Sequence, residues 1–339
     1  MESKYLTADI SHKPRAQEAT IYQDGTRWYA YFDAEFPKDP ITTIEYFQLP
    51  WLPGYKKIVH NANGQSKFKD MKFKGTSIEL IHAHYISTIS VYYWNGDTGY
   101  DHPLIIQVGE GSYYAKENGD SHWSLLGKMD NHALLMKLDE LNCGANDAHI
   151  VDICQVSGNY MCQSCNNVQI SLTCDVFRVA CSEFCMYTHH VKNGHVGRTI
   201  EGHVSLLGLE ASKNDSSLYV FCYKGFKLLI SMQLFSILTY EFFTRNAVYG
   251  ETWTKMTSLS PKNPYDIYKI LDTLKRVAGE SDDAHSRMKR FGISALIGAG
   301  LACIIMTLYY LIPVKKAGVV IESVKYMLKP KEVKYLTME

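Results

Sequence analysis

Eight of the nine cysteines fall between residues 143 and 222: Cys143, Cys154, Cys162, Cys165, Cys174, Cys181, Cys185 and Cys222. Three chemistries are open to them: disulfides, buried free thiols or a soft metal site. Full pairing of eight cysteines allows on the order of 100 connectivities, so spacing alone names none of them. The metal reading rests on Cys162-x-x-Cys165 and Cys181-x-x-x-Cys185, separated by fifteen residues, which is close to a paired-cysteine zinc pattern. His189 and His190 offer a spare ligand. Against zinc stand the three-residue spacer of the second pair and the lack of Gly or Pro to shape a knuckle at either pair.

Other reactive groupings are sparse. His82-x-His84 could share a strand face, but no third ligand sits at a telling spacing. Asp33, Glu35, Asp97 and Asp101 lie near turns, and nothing pairs them for acid–base work, which needs two positioned groups with separated pKa values. There is no Gly-x-Ser-x-Gly elbow, Walker A loop or Gly-x-Gly-x-x-Gly turn. No enzyme activity and no cofactor is expected. Trp28, Tyr29, Tyr31, Phe32, Tyr92, Tyr93, Trp94, Tyr113 and Tyr114 could build an aromatic binding face, although about half of any strand's side chains must point inward. Asn214-Asp215-Ser216 is a glycosylation-type sequon, informative only in an exported chain.

The elements that position these residues read mainly as strands. The chain has 339 residues, which suggests two folded units, and equal numbers of basic and acidic residues, 35 of each. That balance argues against a nucleic-acid partner, which calls for a basic face. His60-Asn61-Ala62-Asn63-Gly64 returns as His190-Val191-Lys192-Asn193-Gly194, and Trp123 returns as Trp253, each tryptophan 59 residues after the glycine. Val91-Tyr92-Tyr93 matches Tyr219-Val220-Phe221, Leu104-Ile105-Ile106 matches Leu228-Leu229-Ile230, and Leu138-Asp139-Glu140-Leu141 matches Leu271-Asp272-Thr273-Leu274. Ordered matches at nearly constant offset indicate a duplicated module. Within it, Asp24-Gly25 marks a hairpin. Asp130 or Asn131 caps a closing helix in which Leu134, Leu135, Leu138 and Leu141 repeat at three- to four-residue spacing. By the repeat, the apolar stretch Phe226–Phe243 is strand, turn, strand rather than a membrane span.

These residues carry a resemblance. Val91 to Asp97, Pro103-Leu104-Ile105-Ile106, Tyr113-Tyr114, Gly119 to Trp123 and Leu138 to Cys143 resemble a module repeated in multigene families of piroplasm (Theileria and Babesia type) parasites. Ile150-Val151-Asp152-Ile153 and Tyr160-Met161-Cys162 look like the start of the next copy. The likeness covers most of residues 50–255. It implies a membrane or exported protein that meets the host, and it supplies no catalytic residues.

From Phe291 to Ile312 the chain has 22 residues without a charge. As a helix they would reach about 33 Å, enough for a bilayer core of about 30 Å. Ser294, Gly298 and Ala302 form a small-residue ridge that suits weak homo-dimerisation of membrane helices. Basic residues flank both sides, so charge sets no orientation. The first 18 residues hold no apolar run of signal-peptide length. The expected organisation is a polar tail (1–14), a first β-rich module (15–145), a second, Cys-rich one (147–278), a charged linker (279–290), a transmembrane helix (291–312) and a basic tail (313–339). The expected function is a non-enzymatic single-pass surface protein contacting host protein or glycan. The alternatives are a cytosol-facing, C-terminally anchored scaffold and a zinc-stabilised binding module.

Overall fold

The computed structural model describes residues 5–278, except 13–19, 22–25, 34, 37, 48, 81–84, 117–121, 180–181, 210–215, 235–238, 246–250 and 258–261. In chain order the first module contributes β1 (Tyr5–Asp9), β2 (Thr20–Ile21), β3 (Arg27–Phe32), β4 (Pro40–Tyr46), β5 (Tyr55–Ala62), β6 (Lys67–Phe73), β7 (Thr76–Ile78), β8 (Thr88–Trp94), β9 (Ile105–Val108), β10 (Ser112–Lys116), β11 (Trp123–Gly127) and α1 (Asn131–Ala145). The second contributes β12 (Ala148–Asp152), β13 (Tyr160–Met161), β14 (Gln169–Val179), β15 (Ser182–Val191), β16 (His195–Glu201), β17 (Val204–Ser205), β18 (Ser217–Tyr223), β19 (Phe226–Leu234), β20 (Thr239–Arg245), β21 (Trp253–Lys255) and α2 (Ile267–Val277). The chain is mainly β, as its aromatic and β-branched runs predict.

Each module has three layers. In the first, a large antiparallel sheet runs β11-β10-β9-β8-β5-β4-β3-β2, and a small sheet runs β1-β6-β7. The central strand β8 shows why the layers form. Its side chains alternate faces with period two. Ile89, Val91 and Tyr93 pack with Leu6, Ala8 and Phe68 of the small sheet. Tyr92 and Trp94 pack with Leu134, Leu138 and Leu141 of α1. A strand buried on both faces carries few polar residues, which explains its run of aromatics. Asp130 caps α1 by accepting the Ala133 N–H at 2.8 Å.

The second module repeats this plan. Its large sheet runs β13-β14-β15-β18-β19-β20-β21, and its small sheet runs β12-β16-β17. Leu218 and Val220 pack with Val151 and Val196, while Phe221 packs with Ile270, Leu271 and Leu274 of α2. Trp123 and Trp253 occupy matching places on the small-sheet side. The small sheets agree down to an irregularity: β1 pairs β6 in parallel with a register shift at Leu6/Thr7, and β12 pairs β16 in parallel with the same shift at His149/Ile150. Residues 5–9, expected within a polar tail, are therefore the first strand of the module. Leu6 and Ala8 alternate inward, and period-two alternation over so few residues is a faint signal.

The structure moves the repeat register by one residue in the central strands. His60 lies opposite Ile89, and His189 lies opposite Leu218. The equivalent of His60 is thus His189 rather than His190, and Val91 matches Val220 rather than Tyr219. A one-residue slip would place Val91, on the small-sheet side, against Tyr219, on the helix side, so the buried faces fix the answer. Gly64 and Asn193 then coincide, and both have positive φ, 64° and 60°. Leu104 to Ile106 and Leu228 to Ile230 stand as matched, because Ile106 pairs Val91 as Ile230 pairs Val220. Phe226–Phe243 falls on β19 and β20, which pair antiparallel, as the repeat predicts. Among the described residues no helix is long and apolar enough to cross a membrane; residues 291–312, with Ser294, Gly298 and Ala302, lie outside them.

Candidate metal centre at the module junction

Four residues converge where the modules meet. Cys143 lies in the last turn of α1, His149 on β12, and Cys162 and Cys165 in the turn after β13. Their ligand atoms all lie within 4.8 Å of one another. Cys143 Sγ is 3.7 Å from Cys162 Sγ, and Cys165 Sγ is 3.6 Å from His149 Nδ1. Cys143, His149 and Cys162 are buried, and Cys165 is partly so. The local backbone explains the convergence. Asn166 adopts φ 54°, and its N–H reaches back to the Cys162 carbonyl at 2.9 Å. An asparagine takes the left-handed position that Gly would otherwise fill, so the tight turn needs neither Gly nor Pro. Gly194 is needed on the other side: a Cβ there would lie 2.7 Å from the Asp147 carbonyl oxygen and from the His149 ring.

The thiols share charge unequally. A hydrogen bond from Cys143 is the main reason that the Cys162 thiol sits far below the ordinary range; burial opposes it, while His149 and the backbone amides of Cys165 and Ile150 assist. The same bond, with burial, pushes Cys143 far up. Three sulfurs and an imidazole, brought together from a helix end, a strand and a turn, form the donor set that soft divalent metals take.

The other sequence candidates go elsewhere. Cys185 sits on β15 opposite Cys222, beside Cys174, and burial pushes Cys222 up to about 12. Cys154 is exposed, and Cys181 lies outside the described residues, as do His82 and His84. His190 Nδ1 meets Ser217 Oγ at 2.9 Å. Cys143 and His149 are the members of the cluster that the paired-cysteine pattern does not reach. Their signal is Cys-x5-His-x12-Cys-x2-Cys, which straddles a helix end and so escapes a search for two knuckles.

The carboxylates near turns hold structure. Asp33 accepts the backbone N–H groups of Thr7 and Glu35, at 2.5 and 2.8 Å, tying β1 to β3. Asp97 accepts the His102 N–H at 2.8 Å, and Asp101 pairs with Lys74 at 2.7 Å. Of the aromatics, Tyr29, Tyr31, Tyr92, Tyr93, Trp94, Tyr113 and Tyr114 are core, while Trp28 and Phe32 on β3 are 39% and 55% exposed.

The junction also carries a buried ion pair. Arg198 on β16 grips Asp139 on α1, Nε to Oδ1 at 3.1 Å and Nη2 to Oδ2 at 2.5 Å. Tyr55 donates to Asp139 Oδ1 at 2.7 Å. Trp94 Nε1 donates to the Gly197 carbonyl at 3.2 Å. The Arg198 and Trp94 contacts join the first module to the small sheet of the second, while Tyr55 supports Asp139 from within the first.

A second pairing occurs once in each module. Tyr31 OH meets His60 Nδ1 at 3.1 Å, and Tyr160 OH meets His189 Nδ1 at 2.9 Å, each pair 29 residues apart in the chain. Burial holds His60 down at about 3 and His189 at about 4. Both rings fold neutral and take up a proton on unfolding below about pH 6.5, so the unfolded state binds more protons in that range. Stability is therefore full above about pH 6.5 and falls as pH drops toward 4, by up to about 1.4 kcal/mol per pH unit for each ring. Urea midpoints of the purified chain should fall over that window, and less steeply in His189→Gln. An equal slope in the variant would remove His189 from the account.

The chain matches no family model, no curated protein and no solved structure.

Proposed function

We propose that this chain is a non-enzymatic, single-pass membrane protein of the piroplasm repeat-module kind, presenting two tandem β modules for contact with host protein or glycan. One observation carries the reading: the modules keep matched cores while their outer faces diverge. Tyr31 and Tyr160 coincide inward, yet the exposed Phe32 of β3 is replaced by the exposed Met161, a thioether for an aromatic ring, and the exposed Trp28 has no counterpart on the two-residue strand β13. A scaffold held constant under a changing surface suits recognition, and exposed aromatics suit it further. The apolar run 291–312 supplies the anchor. A cytosol-facing scaffold is the second reading, favoured by the clustered thiols at the junction, which a reducing compartment would preserve.

The experiment has two readouts on one protein. The native chain should resist alkaline carbonate extraction, and a variant carrying Leu301→Lys and Ile305→Lys should be released, since each mid-membrane lysine costs about 2.5–3.5 kcal/mol. Full release of the native chain would sink the anchor. Arrays of host surface proteins and glycans should retain the chain and lose it on Trp28→Ala with Phe32→Ala. Binding unchanged by that double substitution would move recognition off β3.

A further inference from the structure

We infer that Cys143, His149, Cys162 and Cys165 bind one zinc ion, which staples the closing helix of the first module to the second module.

The distances fit a tetrahedron built around such an ion. With Zn–S near 2.3 Å and Zn–N near 2.0–2.1 Å, tetrahedral edges are about 3.8 Å between sulfurs and about 3.6 Å between sulfur and nitrogen. Two of the six edges match, 3.7 Å for Cys143–Cys162 and 3.6 Å for Cys165–His149, and the others lie within 4.8 Å, close enough to draw in around an ion. A disulfide needs about 2.05 Å, well inside that sulfur separation. Four protein ligands close the coordination sphere, which marks a structural site rather than a catalytic one with an open position. The cysteine-rich set selects against hard cations such as calcium and magnesium, and the buried setting favours a metal that neutralises thiolate charge.

The supporting contacts are those a bound metal uses. Backbone amides of Cys165 and Ile150 point at the Cys162 sulfur. Outer contacts of this kind orient ligands and tune their basicity. Ile150 and Ile200 pack around Cys143 and Cys162, keeping water from the sulfurs. The site is not a duplicated feature. The residue matching His149 in the first module is Leu6, and that module has no cysteine before Cys143. The ligands occur where one module follows another, so the metal belongs to the junction.

The full chain, expressed in zinc-supplemented medium and purified under reducing conditions without chelator, should carry one zinc per chain by elemental analysis. A mercurial thiol reagent should release it stoichiometrically. Cobalt added to the stripped chain should give the d–d and thiolate charge-transfer bands of a tetrahedral sulfur-rich site. Cys143→Ser with Cys162→Ser should abolish metal content, whereas Cys174→Ser with Cys185→Ser should leave it at one. Native chain without zinc, iron or copper in its place, or a Cys143–Cys162 disulfide in the reduced-purified chain would each overturn the inference. So would zinc retained after loss of Cys143 and Cys162, or lost with Cys185. Because metal content and cobalt spectra of the native chain are read first, a variant that fails to fold does not decide the matter.

Discussion

Arg198→Met is expected to destabilise the chain by about 3–5 kcal/mol at neutral pH, because it strands the carboxylate of Asp139 in the interior. Both side chains are almost fully buried, 9% and 1% exposed, and they meet through two parallel contacts. Taking two charges out of water costs several kcal/mol each, so the pair itself adds little over an apolar isostere; what costs most is leaving one charge alone. Asp139→Leu combined with Arg198→Met should therefore recover most of the loss. The pH dependence gives a second check. Burial raises the Asp139 carboxyl, and Arg198 pulls against that rise. Without the guanidinium the folded carboxyl titrates higher still, above its unfolded value near 3.9. The folded state of the variant then binds the extra proton, so its stability is greatest at low pH and is lost as pH rises through that raised value. The gap between native chain and variant should be widest near pH 7 and should narrow toward pH 4. A gap independent of pH would mean that packing, not charge, is what the arginine supplies.

Trp94→Ala is expected to cost about 3–5 kcal/mol, the range for emptying a large aromatic site in a core. Trp94 is wholly buried between the large sheet and α1, among Tyr55, Leu138 and Ala148. Its ring lies so close to Gly96 that a Cβ there would sit 2.5 Å from it. The substitution also leaves the Gly197 carbonyl without the indole donor. Trp94→Phe separates the two effects, since it keeps much of the volume and loses the hydrogen bond. It should cost clearly less than Trp94→Ala. Denaturant midpoints with unchanged slopes would measure both, and a loss below about 1 kcal/mol for Trp94→Ala would show that the site collapses. Tyr223 occupies the equivalent position in the second module, where no later small sheet offers a carbonyl among the described residues.

Much of this fold was legible in the residues. The alternation and turn signals gave the strands, the repeat gave two modules, and Leu134, Leu138 and Leu141 gave the closing helix. Register in the central strands was not legible at single-residue accuracy. Both His189 and His190 fit a motif match, and only burial on opposite sheet faces separates them. The small sheets were missed for a different reason: β1 and β12 pair in parallel with strands 62 and 47 residues away in the chain, Tyr5 facing Lys67 and Ala148 facing His195. Local pattern carries no information about such partners. Half of the candidate site was legible, because Cys162-x-x-Cys165 is a local motif. Its other half depends on where a helix ends and the next module begins, which spacing rules for two knuckles do not describe. Nothing in the tract Leu138-Asp139-Glu140-Leu141 marks its aspartate for a buried ion pair. In the second module its match, Asp272, is exposed, and Phe184 replaces the hydroxyl that Tyr55 offers Asp139.

That asymmetry has a consequence in time. Asp139 and Arg198 are 59 residues apart. At a synthesis rate of about 5–20 residues per second, roughly 3–12 s pass between their appearance. Through that interval α1 can close the first module only with a carboxylate supported by Tyr55 alone. The closing helix of the first module thus gains its buried guanidinium partner only after β16 of the second module has been made.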